Sequence, residues 1–455
     1  MISRVYQAFK NPRDLTSGNI LKNLLILSGP LVISNFIQTL FNLADMFWVG
    51  KLGPASLAAV AASGSILMMV FMLAMGISVG TAALVSRFVG AKDREKAGHA
   101  ATQGLCVAIL LAAMISFLGY MFSAQLLKLL GADAMVIARG TAYLKISFVG
   151  MVIFFFLFVF SDILRGAGDT FSPMVILSFS ALLNMILDPF FIFGWAYFPR
   201  MGVAGAAVAS LIAEFVAVVM ALEFLLHGRS QLKLPKFSFD WDMMKKIVGI
   251  GIPATVQMTL RSFMMIVMMA VVATFGTYAI AAYGVGMRLA MIVMMPGFAL
   301  ANAAATLMGQ NLGAKNPQRA SQSAWTAVGL YIAFLAIVGF FFFFYAPQLI
   351  IIFNNTEEVV KLGSDFLRIS TFGFVFIALG LVLTRALGGA GDTFMPMLIT
   401  FISLWVFQIP LAIFLSQFTA LNINGIWIAM LAANLVQGSL AVLWFQMGKW
   451  KNKEI

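Results

Sequence analysis

Long apolar stretches, following one another along nearly the whole chain, constrain this sequence more than any other feature. A bilayer-spanning helix needs about 20 predominantly apolar residues. Twelve stretches of roughly that length can be marked off, at 24–49, 57–86, 100–120, 143–164, 172–194, 203–227, 246–273, 279–309, 324–345, 366–387, 396–417 and 426–448. They run well past the length of a barrel strand and do not alternate polar with apolar residues. Only 10% of the residues are charged and 62% are apolar, whereas a soluble globular chain carries roughly 25% charged residues. The expected fold is an all-α integral membrane protein with twelve transmembrane helices.

The two halves repeat. Gly90-Ala91-Lys92 returns as Gly313-Ala314-Lys315, Gly168-Asp169-Thr170 as Gly391-Asp392-Thr393, Pro30 as Pro253, Pro173 as Pro396 and Gly202 as Gly425, every pair 223 positions apart. The expected organisation is an N-terminal six-helix lobe at 1–227, a linker at 228–245 and a C-terminal six-helix lobe at 246–455. Six crossings bring the second half to its starting side, so the lobes are expected to be parallel and related by a pseudo-twofold axis along the membrane normal.

Orientation follows from lysine and arginine. Twenty fall on flanks and loops of the N-terminal side and five to seven on the other, which predicts cytoplasmic termini in a cytoplasmic (inner) membrane. The formal charge of +12 is accordingly assigned to contact with anionic lipid rather than nucleic acid, since no polar basic domain is present. The single cysteine, Cys106, excludes an intramolecular disulfide. The first twenty residues lack a short apolar core followed by a small-residue cleavage site, so the first span is expected to direct insertion.

Several motifs have structural explanations. The GAGDT turns at Gly166–Thr170 and Gly389–Thr393 place glycine where positive φ is wanted and Asp or Thr where the next helix needs a cap. The string Gly76-Ile77-Ser78-Val79-Gly80 matches a serine-hydrolase pattern, but it lies inside an apolar helix, where its glycines allow close helix packing. His99 and His227 are the only histidines and no H-E-x-x-H motif occurs, so no enzyme activity, cofactor or metal centre is expected.

An ionisable group at membrane depth is costly and asks for a function. Asp45, Asp188 and Glu214 lie at such depth in the first half, whereas the second half has no acid in the middle of a span. On the first span Asn35, Gln38, Asn42 and Asp45 form one helical stripe. On the fifth, Ser180, Asn184 and Asp188 follow at i, i+4 and i+8, and Pro189 denies the Met185 carbonyl its helical bond. Ser210 and Glu214 share a face of the sixth. Two neighbouring carboxylates in a dry setting bind protons as a unit; with the Asn184 amide oxygen and a freed carbonyl they equally make an oxygen cage for sodium. Bridging between helices is the structural alternative. Once flank and boundary residues are set aside, only Arg261 and Arg288 remain inside spans, suited to backbone carbonyls, first-half acids or an anionic ligand.

The repeat, the first-span run Asn42-Leu43-Ala44-Asp45-Met46-Phe47-Trp48-Val49-Gly50 with Leu52-Gly53, and the paired GAGDT turns resemble the multidrug and toxic compound extrusion (MATE) family. The resemblance implies a cation-coupled antiporter, driven by H+ or Na+, that exports bulky and often cationic organic compounds. It implies coupling-ion ligands at Asp45, Asn184 and Asp188, with Ser210 nearest to the hydroxyl that one branch supplies from the sixth span. Gln38, Asn42 and Glu214 are candidate supporting groups, Pro30 and Pro189 candidate bending points, and Arg261 and Arg288 candidate substrate contacts. The alternative activity is flipping of an anionic lipid-linked precursor.

Overall fold

The computed structural model describes residues 14–226, 238–453 and 455. Twelve helical elements follow in order: α1 Ile20–Gly50, α2 Pro54–Gly90, α3 Arg94–Leu129, α4 Ala134–Gly166, α5 Phe171–Phe193, α6 Val203–Leu226, α7 Trp241–Ala273, α8 Thr277–Gly313, α9 Pro317–Phe344, α10 Glu357–Gly389, α11 Phe394–Gln417 and α12 Ile423–Met447. Eleven are long and apolar enough to cross a membrane as single helices, and α10 makes the twelfth as two limbs, Glu357–Phe372 and Phe374–Gly389, bent by 60°. The chain is a multi-pass membrane protein. Of the segment expected as linker, 228–237 lies outside the described residues, as does His227, and α7 already begins at Trp241.

The repeat extends to element ends and caps. Helices α2 and α8 begin and end 223 positions apart (54 to 277, 90 to 313), as do α4 and α10 (134 to 357, 166 to 389). Positive φ recurs at the same offset in Gly53 and Gly276, Lys92 and Lys315, and Gly168 and Gly391. Asp93 Oδ1 accepts from the Lys96 backbone N–H at 3.0 Å at the start of α3. Asn316 Oδ1 accepts from Arg319 N–H at 3.0 Å at the start of α9. Replacing Asn316 by Ala removes one such cap and is expected to cost about 1 kcal/mol, read as a lower melting temperature in detergent. The Lys96 backbone N–H holds the Asp93 carboxyl below its usual range. Its folded pKa is depressed, so the cap's contribution is present at neutral pH and lost as pH falls through the carboxylate range. The amide of Asn316 does not titrate and keeps its cap under the same acidification.

Two compact units result, one of Gly29–Gly251 and one of Asp14–Ser28 with Ile252–Ile455. In the first unit the start of α7 packs on α2: a Cβ on Gly80 would stand 2.3 Å from the Ile247 carbonyl oxygen, and one on Gly251 would stand 2.9 Å from that of Gly76. The glycines of the hydrolase-like string are thus packing residues. His99 Nε2 lies 2.9 Å from Asp240 Oδ2, whose partner oxygen caps α7 through the Asp242 and Met243 N–H groups. In the second unit, Arg319 Nη2 donates to the carbonyls of Ser17 and Gly18 at 2.7 and 2.9 Å, and Leu24 and Leu27 of α1 join the core. Each of α1 and α7 therefore passes from one unit to the other, α1 after Ser28 and α7 after Gly251, two residues before Pro30 and Pro253 respectively.

Some features escape the repeat. Helix α4 runs unbroken through Gly150, while α10 breaks at its counterpart Gly373. Helix α11 contains a π-helical stretch, Ile402–Gln408, with no equivalent in α5. Asp169 caps α5 through the Phe171 and Ser172 N–H groups, as the turn motif predicts. Its counterpart Asp392 instead accepts from Trp444 Nε1 at 2.8 Å and from Lys453 Nζ at 3.1 Å.

Candidate functional site

Packing at one end of the first unit sets the geometry. Val49 of α1, Ile192 of α5 and Ala206 of α6 form a buried cluster, with Trp48, Tyr143 and Phe193 around it. One helical turn inward from each of the three lie Asp45, Asp188 and Ser210. The apolar layer thus carries the three polar groups to one level. Asp45 and Asp188 lie within electrostatic reach of each other. Asp188 is fully buried (0% exposed) and Asn184 is buried, while Asp45 and Glu214 are partly buried.

The Asn184 amide links α5 to α6. Its hydrogen-bonding surroundings orient the group: Nδ2 donates to the two Asp188 carboxylate oxygens at 3.1 and 3.2 Å, and Oδ1 accepts from Ser210 Oγ at 2.7 Å and from the Ser210 N–H at 2.8 Å. Ser210 therefore holds Asn184, which holds Asp188. The cage in which the amide oxygen also faces the ion is not formed here, because that oxygen is engaged by Ser210. Among the described residues no Lys, Arg or His forms an ion pair with Asp45, Asp188 or Glu214. No group of three or more His, Cys, Asp or Glu among them is placed to hold a metal ion.

Tyr143 of α4 completes the cluster and was not singled out from the sequence. It lies within electrostatic reach of Asp45, Asp188 and Glu214. The repeat contains the signal for it. At 223 positions on, Asp45, Tyr143, Asn184, Asp188, Ser210 and Glu214 become Met268, Phe366, Phe407, Leu411, Ala433 and Gln437. Met268, Phe366 and Ala433 are buried core residues in the second unit. The same pseudo-symmetric scaffold is thus polar at this level in one unit and nearly apolar in the other.

The remaining candidates are distributed more widely. Gln38 and Asn42 stand on the accessible side of α1, whereas Asn35 is partly buried and Ser180 buried. Pro30 and Pro189 lie within continuous helices. Asp162 and Ser78 hydrogen-bond, and Arg165 Nη1 pairs with Asp162 at 2.8 Å. Arg261 and Arg288 belong to the second unit, and neither forms an ion pair among the described residues.

Twelve apolar helices in a six-plus-six repeat, with Asp45 and Asp188 in one repeat replaced by Met268 and Leu411 in the other, define a multi-pass membrane protein. The MatE family profile matches residues 30–190 and 253–414, and the chain belongs to that family. It is 28% identical over 454 residues to the "Probable multidrug resistance protein NorM" of Thermotoga maritima, covering 99% of this chain and 97% of that protein. It is 28% identical over 433 residues to the "FAD transporter" of Shewanella oneidensis, covering 94% and 95%. A solved structure described as MATE in the bent conformation superposes with a TM-score of 0.89 at 27% identity, covering 95% of this chain and 96% of that one.

Proposed function

We propose that this chain exports bulky organic compounds, many of them cationic, from the cytoplasm in exchange for protons or sodium ions. The chain lies in the cytoplasmic membrane with both termini inside. One observation carries the proposal: Asp45 and Asp188 share a level of the first unit with no basic partner among the described residues, and the repeat removes both from the second. Carboxylates so enclosed take their positive charge from a small cation.

Asp45 and Asp188 bind that ion, Asn184 and Ser210 fix the Asp188 carboxylate, and Tyr143 and Glu214 border the site. Gln38 and Asn42 line the approach along α1. A proton needs nothing further from the amide, whereas a sodium ion gains an oxygen ligand only if the Asn184 amide turns over and gives up Ser210. Pro30 and Pro189 lack the N–H of a regular helix and let α1 and α5 bend as occupancy changes. Coupling requires the ion to bind the inward-open and outward-open states with different affinity, since equal affinity shifts nothing.

The test is efflux of a fluorescent organic cation from sealed vesicles under separately imposed proton and sodium gradients. Acceleration by one of the two is expected; indifference to both would remove the proposal. Arg261, with no acidic partner among the described residues, favours a second activity, flipping of an anionic lipid-linked precursor. In that case replacing Arg261 and Arg288 abolishes transport of the precursor and spares cationic dyes.

A further inference from the structure

The second unit holds a polar cluster of a different character. Gln257 of α7 donates through Nε2 to the Pro396 carbonyl at 3.2 Å and to Thr400 Oγ1 at 3.0 Å on α11. Gln437 of α12 reaches the same hydroxyl at 3.5 Å. Thr400 and Gln437 are buried, and Gln437 stands at the repeat position of Glu214. An amide thus replaces the acid of the first unit. One turn beyond Gln257 on the same face of α7 comes Arg261, at the repeat position of Gln38. Trp405, inside the π-helical stretch of α11, donates through Nε1 to the carbonyl of Leu260 at 3.1 Å, which brings its indole beside the arginine's stretch of α7.

Arg261 itself is partly buried and makes no hydrogen bond or ion pair among the described residues. The described acids of its unit are Asp14, Glu357, Glu358, Asp365 and Asp392. Glu357 and Glu358 open α10, Asp365 lies farther along its first limb, and Asp392 is bound to Trp444 and Lys453. A guanidinium at this depth, with no acidic partner among the described residues, lacks the counter-charge that would offset its cost. Its planar fork fits a phosphate or carboxylate through two parallel hydrogen bonds.

We propose that Arg261 is the anchor of an anion-binding site within the second unit, taking the phosphate or carboxylate of an amphiphilic organic cargo whose apolar body rests against Trp405. The exported compounds then include anions and zwitterions as well as cations. The two repeats have divided the labour by polarity, carboxylates for the coupling ion in one and a guanidinium for cargo in the other. This deepens the export proposal, resting on it for the direction of transport but not for binding.

Binding to the purified full chain tests it, with two dyes of one xanthene scaffold: anionic carboxyfluorescein and cationic rhodamine 6G, followed by fluorescence anisotropy. Arg261→Gln is expected to weaken carboxyfluorescein roughly thirtyfold or more, with rhodamine affinity unchanged or improved. Arg261→Lys keeps the charge without the fork and should lose less. An unaltered carboxyfluorescein affinity in Arg261→Gln overturns the proposal. So does an equal loss for both dyes, which is what a purely structural arginine would give. Competition distinguishes the cargo's source: phenyl phosphate displacing the dye points to water-soluble organic anions, and displacement by hexadecyl phosphate alone points to a lipid-linked one. Displacement by neither overturns the site. Because no ion gradient enters the assay, a failure here leaves the coupling role of Asp45 and Asp188 standing, and a failure of coupling leaves this result intact.

Discussion

Asp45→Asn and Asp188→Asn are expected to reduce gradient-driven efflux to the rate of protein-free vesicles while leaving the protein folded and able to bind dye. Each replacement keeps the size and hydrogen-bonding capacity of the side chain and removes the charge that the coupling ion neutralises. The cluster around the acids should persist, because Val49, Ile192 and Ala206 hold the helices without them. Asn184 keeps a carbonyl oxygen at position 188 to donate to, and Ser210 still holds its far side. Dye binding with no response to the gradient is the signature of lost coupling. Undiminished active efflux in both variants would show that the acids only bridge helices. Ser210→Ala should behave differently: with Asn184 Oδ1 held only by the backbone N–H of position 210, the amide turns more readily, and the proton-to-sodium preference measured in the same vesicles should move toward sodium.

The second large effect concerns packing. A Cβ at Gly389 would stand 2.2 Å from the Ala305 carbonyl oxygen, and one at the repeat position Gly166 would stand 2.9 Å from that of Ala82. Backbone fills both places, so the helices of the α8–α10 and α2–α4 pairs must separate to admit a methyl group. Helix association in lipid rests on such close approach of backbones, and overpacking costs typically about 1–3 kcal/mol. Gly389→Ala is expected to lower the melting temperature in detergent and the yield of monodisperse protein, and Gly166→Ala to do so less severely. Gly249, in α7, has nothing within 4 Å of a built Cβ. Gly249→Ala should be neutral or stabilising by up to about 1 kcal/mol through helix propensity alone. Equal behaviour of Gly389→Ala and Gly249→Ala would contradict the packing assignment.

Much of this was legible in the residues because the repeat supplied an internal comparison. A shared offset fixed the order of helices, and departures from it exposed the acids, since Met268 and Leu411 stand where symmetry would place Asp45 and Asp188. Tyr143 obeys the same rule against Phe366, yet a tyrosine in an apolar helix carries no cost conspicuous enough to draw attention without its neighbours. The orientation of the Asn184 amide was not legible, because which of its two ends meets Asp188 depends on whether α6 presents a hydroxyl at that level. The break of α10 at Gly373 was equally hidden. Its counterpart Gly150 lies in an unbroken helix, so glycine permits the bend without causing it. The π-helical stretch of α11 ends two residues before Pro410, whose missing N–H denies the Val406 carbonyl its α-helical bond; that proline marks an irregular turn in the sequence without specifying its π form. The exchange of first turns between units was beyond composition as well, because the contacts that hold it, from Arg319 to Ser17 and Gly18 and from His99 to Asp240, span hundreds of positions or more than a hundred.

The most direct test of the central claim reverses the experiment. Vesicles containing the wild-type chain, with no ion gradient and equal pH on both sides, are given a gradient of organic cation alone. An internal pH dye and radioactive sodium report any ion movement. Antiport through the carboxylates of the first unit predicts that one ion moves against the dye and accumulates uphill, and that the movement vanishes in Asp188→Asn. Transport of the dye with neither ion moving in the wild type would contradict the account.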